Sequence, residues 1–330
     1  MSAIGLIAGI LSGSLSANLA YAQTSNNETA SAANSASSEV SIDARMGNEA
    51  NSKTPQPDLA FGAFQRGMYL TAFELALPRA KLGDPAAQTL IAEMYDKGLG
   101  VPRSLKESTA WYALAAENKD LEAQFSYAVK LLEGKYVKAD KKRARALMKI
   151  AADGGHATAA FNFGQMIMNE RPTSSGFKQA LPYFEKAANG RVADAYYSLA
   201  KLYESGRLNG YPENKLAQEW MLKAARAGID TAQVELSIWL ANGKGGIKTP
   251  KVAFQWMQRA AMGGNVIAQS RLAKMYLEPF GVEQNIVEGA KWHIIARRAG
   301  LDDPWLNEIL SSLDQKDLSA ALEAANRWPS

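Results

Sequence analysis

Cysteine is missing from all 330 residues of this chain. Its absence excludes disulfide bonds, thiolate metal sites and cysteine nucleophiles. Histidine is almost as scarce, because the chain contains only His156 and His293. Neither has a cysteine or a second histidine close to it in sequence, so we expect both to have ordinary surface or packing roles. The sequence therefore predicts no metal site and no other bound cofactor.

The chain also lacks a strong excess of charge. Its 37 basic and 33 acidic residues leave a net charge of +4. Residues 1–22 contain no charged side chain, and residues 23–60 contain five acidic and two basic ones, a net charge of −3. Residues 61–330 therefore carry +7, the difference between +4 and −3. This mild excess is less than the clustered basicity expected of a nucleic-acid-binding protein, so we expect no nucleic-acid partner.

A long hydrophobic run is absent from the N-terminus as well. The apolar stretch at residues 4–11 is too short to span a bilayer. The small-x-small tripeptide AYA at residues 20–22 follows it. This arrangement predicts a signal peptide over residues 1–22, cleavage after Ala22, and a periplasmic or secreted mature protein. No Lys or Arg precedes the apolar run, so the apolar N-terminus of a cytosolic protein remains the alternative.

Large apolar side chains are nearly absent from residues 23–57, which are rich in Ser, Asn, Ala and Thr. A segment of this composition cannot bury enough apolar surface to offset the entropy lost on ordering. We therefore predict a disordered tether between the signal peptide and the rest of the chain.

The rest of the chain contains a repeat. Its first anchor is an alanine that recurs at steps of 36, 36, 36, 37 and 36 residues: Ala87, Ala123, Ala159, Ala195, Ala232 and Ala268. Its second anchor is an alanine pair with the same period: 115–116, 151–152, 187–188, 224–225 and 260–261. A period of 36 residues is typical of stacked supersecondary units, none of which can bury its apolar face alone. The array is predicted to occupy residues 58–302.

Each unit is predicted to contain two helices. Four, five and eight residues after the first anchor, the side chains are apolar, small and apolar, a spacing that places them on one helix face. The small position holds Ala92, Ala128, Gly164, Ala200, Ser237 and Ala273. A small side chain at this place permits close helix approach. The second helix is expected to open on a large side chain four residues before the alanine pair: Trp111, Leu147, Tyr183, Trp220, Trp256 or Trp292.

Glycines are expected to end these helices in a left-handed conformation. Four of them follow the first helix: Gly98, Gly134, Gly206 and Gly243. Five more follow the second helix: Gly83, Gly155, Gly228, Gly264 and Gly300.

The array also needs segments that cover its two ends. Residues 58–82 form a shortened opening unit, and Asp303 followed by Pro304 begins two polar closing helices in residues 303–330.

The pattern A-Q-x-x-L-G-x-x-Y-x-x-G-x-G-V, followed by K-A-x-x-W-Y-x-K-A-A-x-x-G, resembles the Sel1-like repeat, a relative of the tetratricopeptide repeat. Residues 87–116, 195–228, 232–264 and 268–300 carry the resemblance, and the units from Ala123 and Ala159 fit less closely. The resemblance implies an all-α, right-handed α-solenoid that serves as an interaction scaffold, often exported in bacteria. It does not identify the partner.

The first helices of an α-solenoid usually line its concave side, where side chains outside the core are free to vary. Polar residues three and six positions after the anchor are therefore our candidate partner-binding residues: Ser126, Asn162, Gln165, Ser198, Lys201, Glu235, Arg271 and Lys274. A second candidate is the basic run Lys138, Lys141, Lys142, Arg143 and Arg145, which could meet an anionic partner or could be a solvated helix face.

Two classes of function remain open. The first is an exported scaffold for another protein or for cell-wall polymer, without a membrane span and without enzymatic activity. Within this class, the resemblance to relatives that regulate exopolysaccharide implies a periplasmic inhibitor of a sensor kinase as one alternative. The second class is a β-lactam-binding or β-lactamase-like enzyme, for which Ser175-x-x-Lys178 and Ser198-x-x-Lys201 provide a serine-lysine spacing. The S-D-N and K-T-G elements that accompany it are missing, which favours the scaffold.

Overall fold

The computed structural model describes residues 58–328, and this part of the chain forms sixteen α-helices and no β-strand. The helices are Leu59–Gln65 (α1), Tyr69–Lys81 (α2), Pro85–Lys97 (α3), Leu105–Glu117 (α4), Leu121–Glu133 (α5), Lys141–Asp153 (α6), Ala157–Glu170 (α7), Ser174–Asn189 (α8), Ala193–Glu204 (α9), Asn214–Arg226 (α10), Asp230–Asn242 (α11), Pro250–Met262 (α12), Val266–Leu277 (α13), Ile286–Arg298 (α14), Pro304–Ser312 (α15) and Gln315–Asn326 (α16). The predicted signal peptide and tether lie outside the described residues.

The helices from α3 to α14 form six consecutive pairs, and each helix packs mainly on its neighbours in sequence. We call the first helices of the pairs, α3, α5, α7, α9, α11 and α13, the A layer. We call the second helices, α4, α6, α8, α10, α12 and α14, the B layer. Like helices of successive pairs also meet, as shown by Lys130 Nζ, 2.8 Å from Asp96 Oδ1 in the A layer. In the B layer the Tyr183 hydroxyl donates to Asp153 Oδ1 at 3.1 Å. The α-solenoid predicted from the repeat is confirmed.

Close packing between the two helices of a pair depends on the small position five residues after the anchor. All six residues at this position are buried. Gly164 shows why the position must be small, because a Cβ atom there would lie 3.0 Å from the Phe184 ring. At the one serine, Ser237, the hydroxyl donates to the buried carbonyl of Ala253 at 2.6 Å. The predicted core face of the first helices is therefore confirmed.

The second helices begin earlier than expected. Helix α4 starts at Leu105, after an N-cap in which Ser104 accepts a hydrogen bond from the Glu107 amide, so Trp111 lies near its middle. Helix α6 likewise starts at Lys141, six residues before Leu147, with Asp140 as its N-cap. The prediction that large apolar residues open these helices is therefore wrong. The N-cap residue fixes the start, and the large side chain follows the first helical residue by six to nine positions.

Buried glutamines join successive units. At the residue after the anchor alanine, four Gln side chains are at most 5% exposed: Gln88, Gln124, Gln233 and Gln269. Each donates from Nε2 to the carbonyl of the second alanine of the pair, or its equivalent, in the preceding unit: Ala80, Ala116, Ala225 and Ala261, at 2.9–3.4 Å. Each of these carbonyls lies at the C-terminal end of a second helix and also accepts from the backbone amide three residues later. The glutamine therefore adds a second hydrogen bond, and this bond joins two units.

A glycine in the loop between paired helices makes a second joint between units. Thirteen residues after the anchor, Gly100, Gly245 and Gly281 have positive φ angles of 72°, 84° and 76°. A Cβ atom at each would lie 2.1–2.8 Å from backbone atoms at the start of the second helix of the preceding unit. The loop thus approaches the preceding helix so closely that any side chain larger than hydrogen would collide with main chain.

The residue two positions after the end of each second helix, and of α2, adopts a left-handed conformation. Seven equivalent positions have φ angles between 62° and 98°: Gly83, Lys119, Gly155, Arg191, Gly228, Gly264 and Gly300. The five glycines were predicted, and the two non-glycine residues were not. A side chain in this region costs about 1–2 kcal/mol, so Lys119 and Arg191 are sites of local backbone strain.

Replacing Lys119 by glycine should raise the free energy of unfolding by about 0.5–1 kcal/mol, because the relief of strain exceeds the extra unfolded-state entropy of glycine. Urea unfolding of the purified protein measures the change. Lys119→Ala is the matched control, since it removes the same charge but keeps the Cβ atom. Equal stabilisation by alanine and glycine would show that the side chain, not the backbone, is responsible.

The array ends in a closing pair of helices. Asp303 accepts a hydrogen bond from the Leu306 amide at 3.3 Å, and Pro304 occupies the first helical position of α15. Helix α16 packs on α14 and buries Ala321 and Ala325 against it. Across residues 58–328, none of the helices combines the length and apolar character that crossing a membrane would need.

Candidate functional site

The eight candidate residues lie on A-layer helices, and most are half-buried. Arg271 is exposed, whereas Gln165 and Ser198 are partly covered. The Ser126 hydroxyl donates to Glu122 Oε1 at 3.3 Å, and the Asn162 amide donates to the Thr158 carbonyl at 3.0 Å. We call the surface that these side chains form along successive first helices the A surface. The structure thus places the candidates on one layer, and their role in binding stays a prediction.

Charged candidates on α9 and α11 are held in an ion-pair network. Lys201 Nζ lies 2.5 Å from Glu204 Oε2 and 3.1 Å from Glu235 Oε2. The Tyr197 hydroxyl donates to the other oxygen of Glu235 at 2.7 Å. Glu204 also pairs with Lys244, in the loop after α11. The network links two successive units and holds the charged groups of these side chains at the junction between the units.

Burial and these contacts set the pKa values of the network. Burial and the hydrogen bond to Glu235 raise the pKa of Tyr197 to about 12. Burial disfavours the charged form of Lys201, but the hydrogen bonds to Glu204 and Glu235 outweigh it and raise the pKa of Lys201 above its ordinary value. Burial likewise opposes ionisation of Glu204, and its two lysine partners still hold its pKa below the usual range. Lys201 is therefore a firmly charged cation at neutral pH.

A similar contact lies at the last unit. Lys274 Nζ lies 2.6 Å from Asp303 Oδ2, the N-cap of α15, and 5.7 Å from the centroid of the Trp305 ring. The hydrogen bond from Lys274 holds the pKa of Asp303 below its ordinary value. Lys274 therefore contributes to attaching the closing helices, whereas Arg271, one turn earlier, makes no ion pair within residues 58–328.

Both histidines have structural contacts, as expected. His156 is the N-cap of α7, where Nδ1 accepts from the Ala159 amide at 3.0 Å and Nε2 donates to Glu122 at 2.8 Å. This hydrogen bond holds the pKa of Glu122 below its usual range. His293 is 1% exposed and its Nε2 lies 2.8 Å from Asn307 Oδ1.

The A surface is acidic at its N-terminal end. A depression between α1, α3 and α5 is lined by four carboxylates, those of Asp58, Glu93, Asp120 and Glu122. Exposed Phe61 lies beside them. Over the six A-layer helices, five basic and nine acidic side chains give a net charge of −4. The sequence pattern named mostly basic and neutral candidates, so it missed this acidity and the network residues Tyr197 and Glu204.

The structure places the two serine-lysine spacings in different surroundings. A lysine that activates serine must be deprotonated, but Lys201 is held between two carboxylates that favour its charged form. Ser175 and Lys178 are both exposed at the start of α8. Among residues 58–328, no group of three or more His, Asp or Glu side chains is placed to hold a metal ion.

The basic run splits into two parts. Arg143 pairs with Glu117 at 3.1 Å and lies 5.3 Å from the Tyr127 ring centroid. Arg145 pairs with Glu170 at 2.9 Å and lies 4.9 Å from the Phe163 ring centroid. The three lysines of the run are exposed. Two of its five charges are thus used in packing on the A layer.

Comparison with known proteins identifies the repeat. A family model described as Sel1 repeat matches residues 85–120, 121–156, 157–191, 193–229, 231–265 and 266–301. The matches include the two units, from Ala123 and Ala159, that fit the motif less closely. No curated protein matches the chain.

Solved structures show the same architecture. The chain is 26% identical to a Sel1 repeat protein from Oxalobacter formigenes, with a TM-score of 0.61, covering 74% of this chain and 97% of that one. It is also 26% identical to c5321, a protective antigen present in uropathogenic Escherichia coli strains and displaying an SLR fold. The TM-score there is 0.51, and the alignment covers 79% of this chain and 64% of that one.

Proposed function

Because the chain belongs to the Sel1 repeat family, whose repeats mediate protein–protein interaction, we propose that it is an exported scaffold that binds a partner protein through its A surface. The observation that carries this proposal is the A surface itself. Polar side chains recur on it from unit to unit, and three of them, Lys201, Glu235 and Lys274, are held in place by contacts across units. Side chains fixed in this way lose little conformational entropy on binding.

The charge of the A surface favours a partner with basic side chains. The six A-layer helices together carry a net charge of −4, and four carboxylates line the depression near Phe61. Two of these carboxylates, Asp58 and Glu93, pair with Arg79 and Lys97. The net negative charge of the layer would attract cationic groups and orient them during encounter. The AYA tripeptide and the apolar run before it favour a partner in the bacterial envelope. We place the function in envelope regulation or assembly, and inhibition of a sensor kinase through its periplasmic domain is the narrower alternative.

Site-specific crosslinking in cells tests the surface. A photo-crosslinking amino acid is placed at Gln165 or Arg271 in the A layer, and at Gln179 or Gln255, exposed residues of the B layer, as matched controls. We expect the same protein to be crosslinked from both A-layer positions and from neither B-layer position. Mass spectrometry identifies the crosslinked protein. If that protein is a sensor kinase, the result supports the narrower alternative.

Crosslinks that form only from Gln179 and Gln255 would contradict the proposed surface.

Export is tested separately by mass spectrometry of the protein purified from its native cells. We expect the first residue to be Gln23, and an intact N-terminus at Met1 would contradict export. The two results are independent, because the A surface could bind a protein in either compartment.

A further inference from the structure

The two layers of the solenoid carry opposite net charge. The six B-layer helices contain sixteen basic and six acidic side chains, a net charge of +10, against −4 for the six A-layer helices. The net charge of the whole chain, +4, does not reveal that the two layers differ in sign. Charges of one sign gathered on one layer create a local potential that attracts polyanions.

Three successive B-layer helices repeat one arrangement of a cation over an aromatic ring. Lys186, Lys223 and Arg259 each follow, by three residues, the ring on which they lie. The distances from the cation to the ring centroid are 5.5 Å at Tyr183, 3.8 Å at Trp220 and 5.6 Å at Trp256. The three cations are exposed, and the three rings are half-buried. Each ring therefore fixes the position of one outward-facing positive charge per unit.

Most cations near these three cation–ring pairs lack an acidic partner. Helices α10 and α12 contain five basic side chains, Lys215, Lys223, Arg226, Lys251 and Arg259, and a single acidic one, Glu219. Within residues 58–328, none of these five lies within 4.0 Å of a carboxylate oxygen, whereas Lys201 on the A layer pairs with two. On α8, Lys186 Nζ lies 3.9 Å from Asp153 Oδ1. The positive charge of α10 and α12 is not neutralised within the described chain.

We propose that the exposed side of α8, α10 and α12, which we call the B surface, binds a linear anionic polysaccharide that carries carboxylates along its length. A polymer with regularly spaced charges can contact the cation of each successive unit, so weak contacts add along the solenoid. This surface is separate from the A surface, and the inference does not rest on binding of a protein there.

The same geometry disfavours two other polyanions. Single-stranded nucleic acid binds proteins by stacking its bases on aromatic faces, and here cations lie over the rings. Stable attachment to an anionic membrane needs apolar side chains that enter the lipid. Of the large apolar side chains on these three described helices, only Val252 and Met262 are exposed. A hydrophilic chain with spaced carboxylates fits the B surface best.

Binding of the full chain to polygalacturonate, measured by calorimetry, tests the proposal. We expect binding at low ionic strength that weakens as salt is added, and no binding to uncharged dextran. The triple variant Lys186→Gln, Lys223→Gln, Arg259→Gln should weaken binding by about tenfold or more, because three of the charges facing the polymer are lost. The charge-preserving variant Lys186→Arg, Lys223→Arg, Arg259→Lys should bind within about twofold of the original protein.

A control removes three charges from the other layer: Lys97→Gln, Arg271→Gln, Lys274→Gln. It should change polygalacturonate binding by less than about twofold, since the total charge alone has a small effect. An equal loss in this control would overturn the proposal, as would failure of the original protein to bind. Tighter binding to oligo-dT or to phosphatidylglycerol vesicles than to polygalacturonate would overturn it in favour of nucleic acid or membrane. Thermal melting confirms that each variant is folded.

Discussion

Replacing Gly281 by alanine should lower the free energy of unfolding by about 2–5 kcal/mol, as measured by urea unfolding. Two costs add. The φ angle of Gly281 is +76°, where a side chain costs about 1–2 kcal/mol. The new Cβ atom would also lie 2.1 Å from the carbonyl oxygen of Pro250, at the start of α12, and relieving such a collision costs typically about 1–3 kcal/mol.

Gly264→Ala is the matched control for Gly281→Ala. Its φ angle is +90°, but no atom lies within 4 Å of the place where the Cβ atom would be. This variant should lose only the backbone term, about 1–2 kcal/mol. The difference between the two variants therefore measures the close approach of the loop to the preceding unit. Equal losses would mean that the loop can move away from Pro250 at no cost.

The glycine at this joint shows what the sequence could and could not predict. Repetition of the anchors predicts the helix pairs, the small buried position and the glycines that end the second helices, because each depends on local spacing or on one backbone conformation. The close approach of Gly281 to Pro250 joins residues of successive units, and only the packed structure reveals it. The other three units have Tyr136, Pro172 and Leu208 at the same position, so the sequence alone did not mark it as a contact.

The candidate site was predictable only in part, for the same reason. Helical periodicity places Lys201 and Glu235 on exposed faces of their helices, but it does not show that they meet. Their contact depends on how two units stack, and it converts a free charge into a member of an ion-pair network. The charge difference between the layers follows from the sequence. It can be counted only when each helix has been assigned to a layer and its first residue is known. The late starts predicted for the second helices left out basic residues such as Lys141 and Lys215.

Replacing Ala200 by leucine should destabilise the protein by about 1–3 kcal/mol, because it overpacks the contact between α9 and α10. Ala200 is 0% exposed and belongs to a cluster with Ala217, Met221 and Ala224, which are also 0% exposed. The three added carbon atoms have no cavity to enter in such a cluster, so the helices must separate or side chains must leave their preferred rotamers. Thermal and urea unfolding measure the loss.

Ala146→Leu is the matched control for Ala200→Leu, since Ala146 is an exposed alanine within α6. The same three carbon atoms added there face solvent, and alanine and leucine differ little in helix propensity, so the change should stay within about 0.5 kcal/mol. A loss at Ala146 as large as that at Ala200 would mean that leucine disturbs these helices for a reason other than packing. An unchanged stability at Ala200 would mean that α9 and α10 can move apart freely, which would contradict the requirement for a small side chain at this position in all six units.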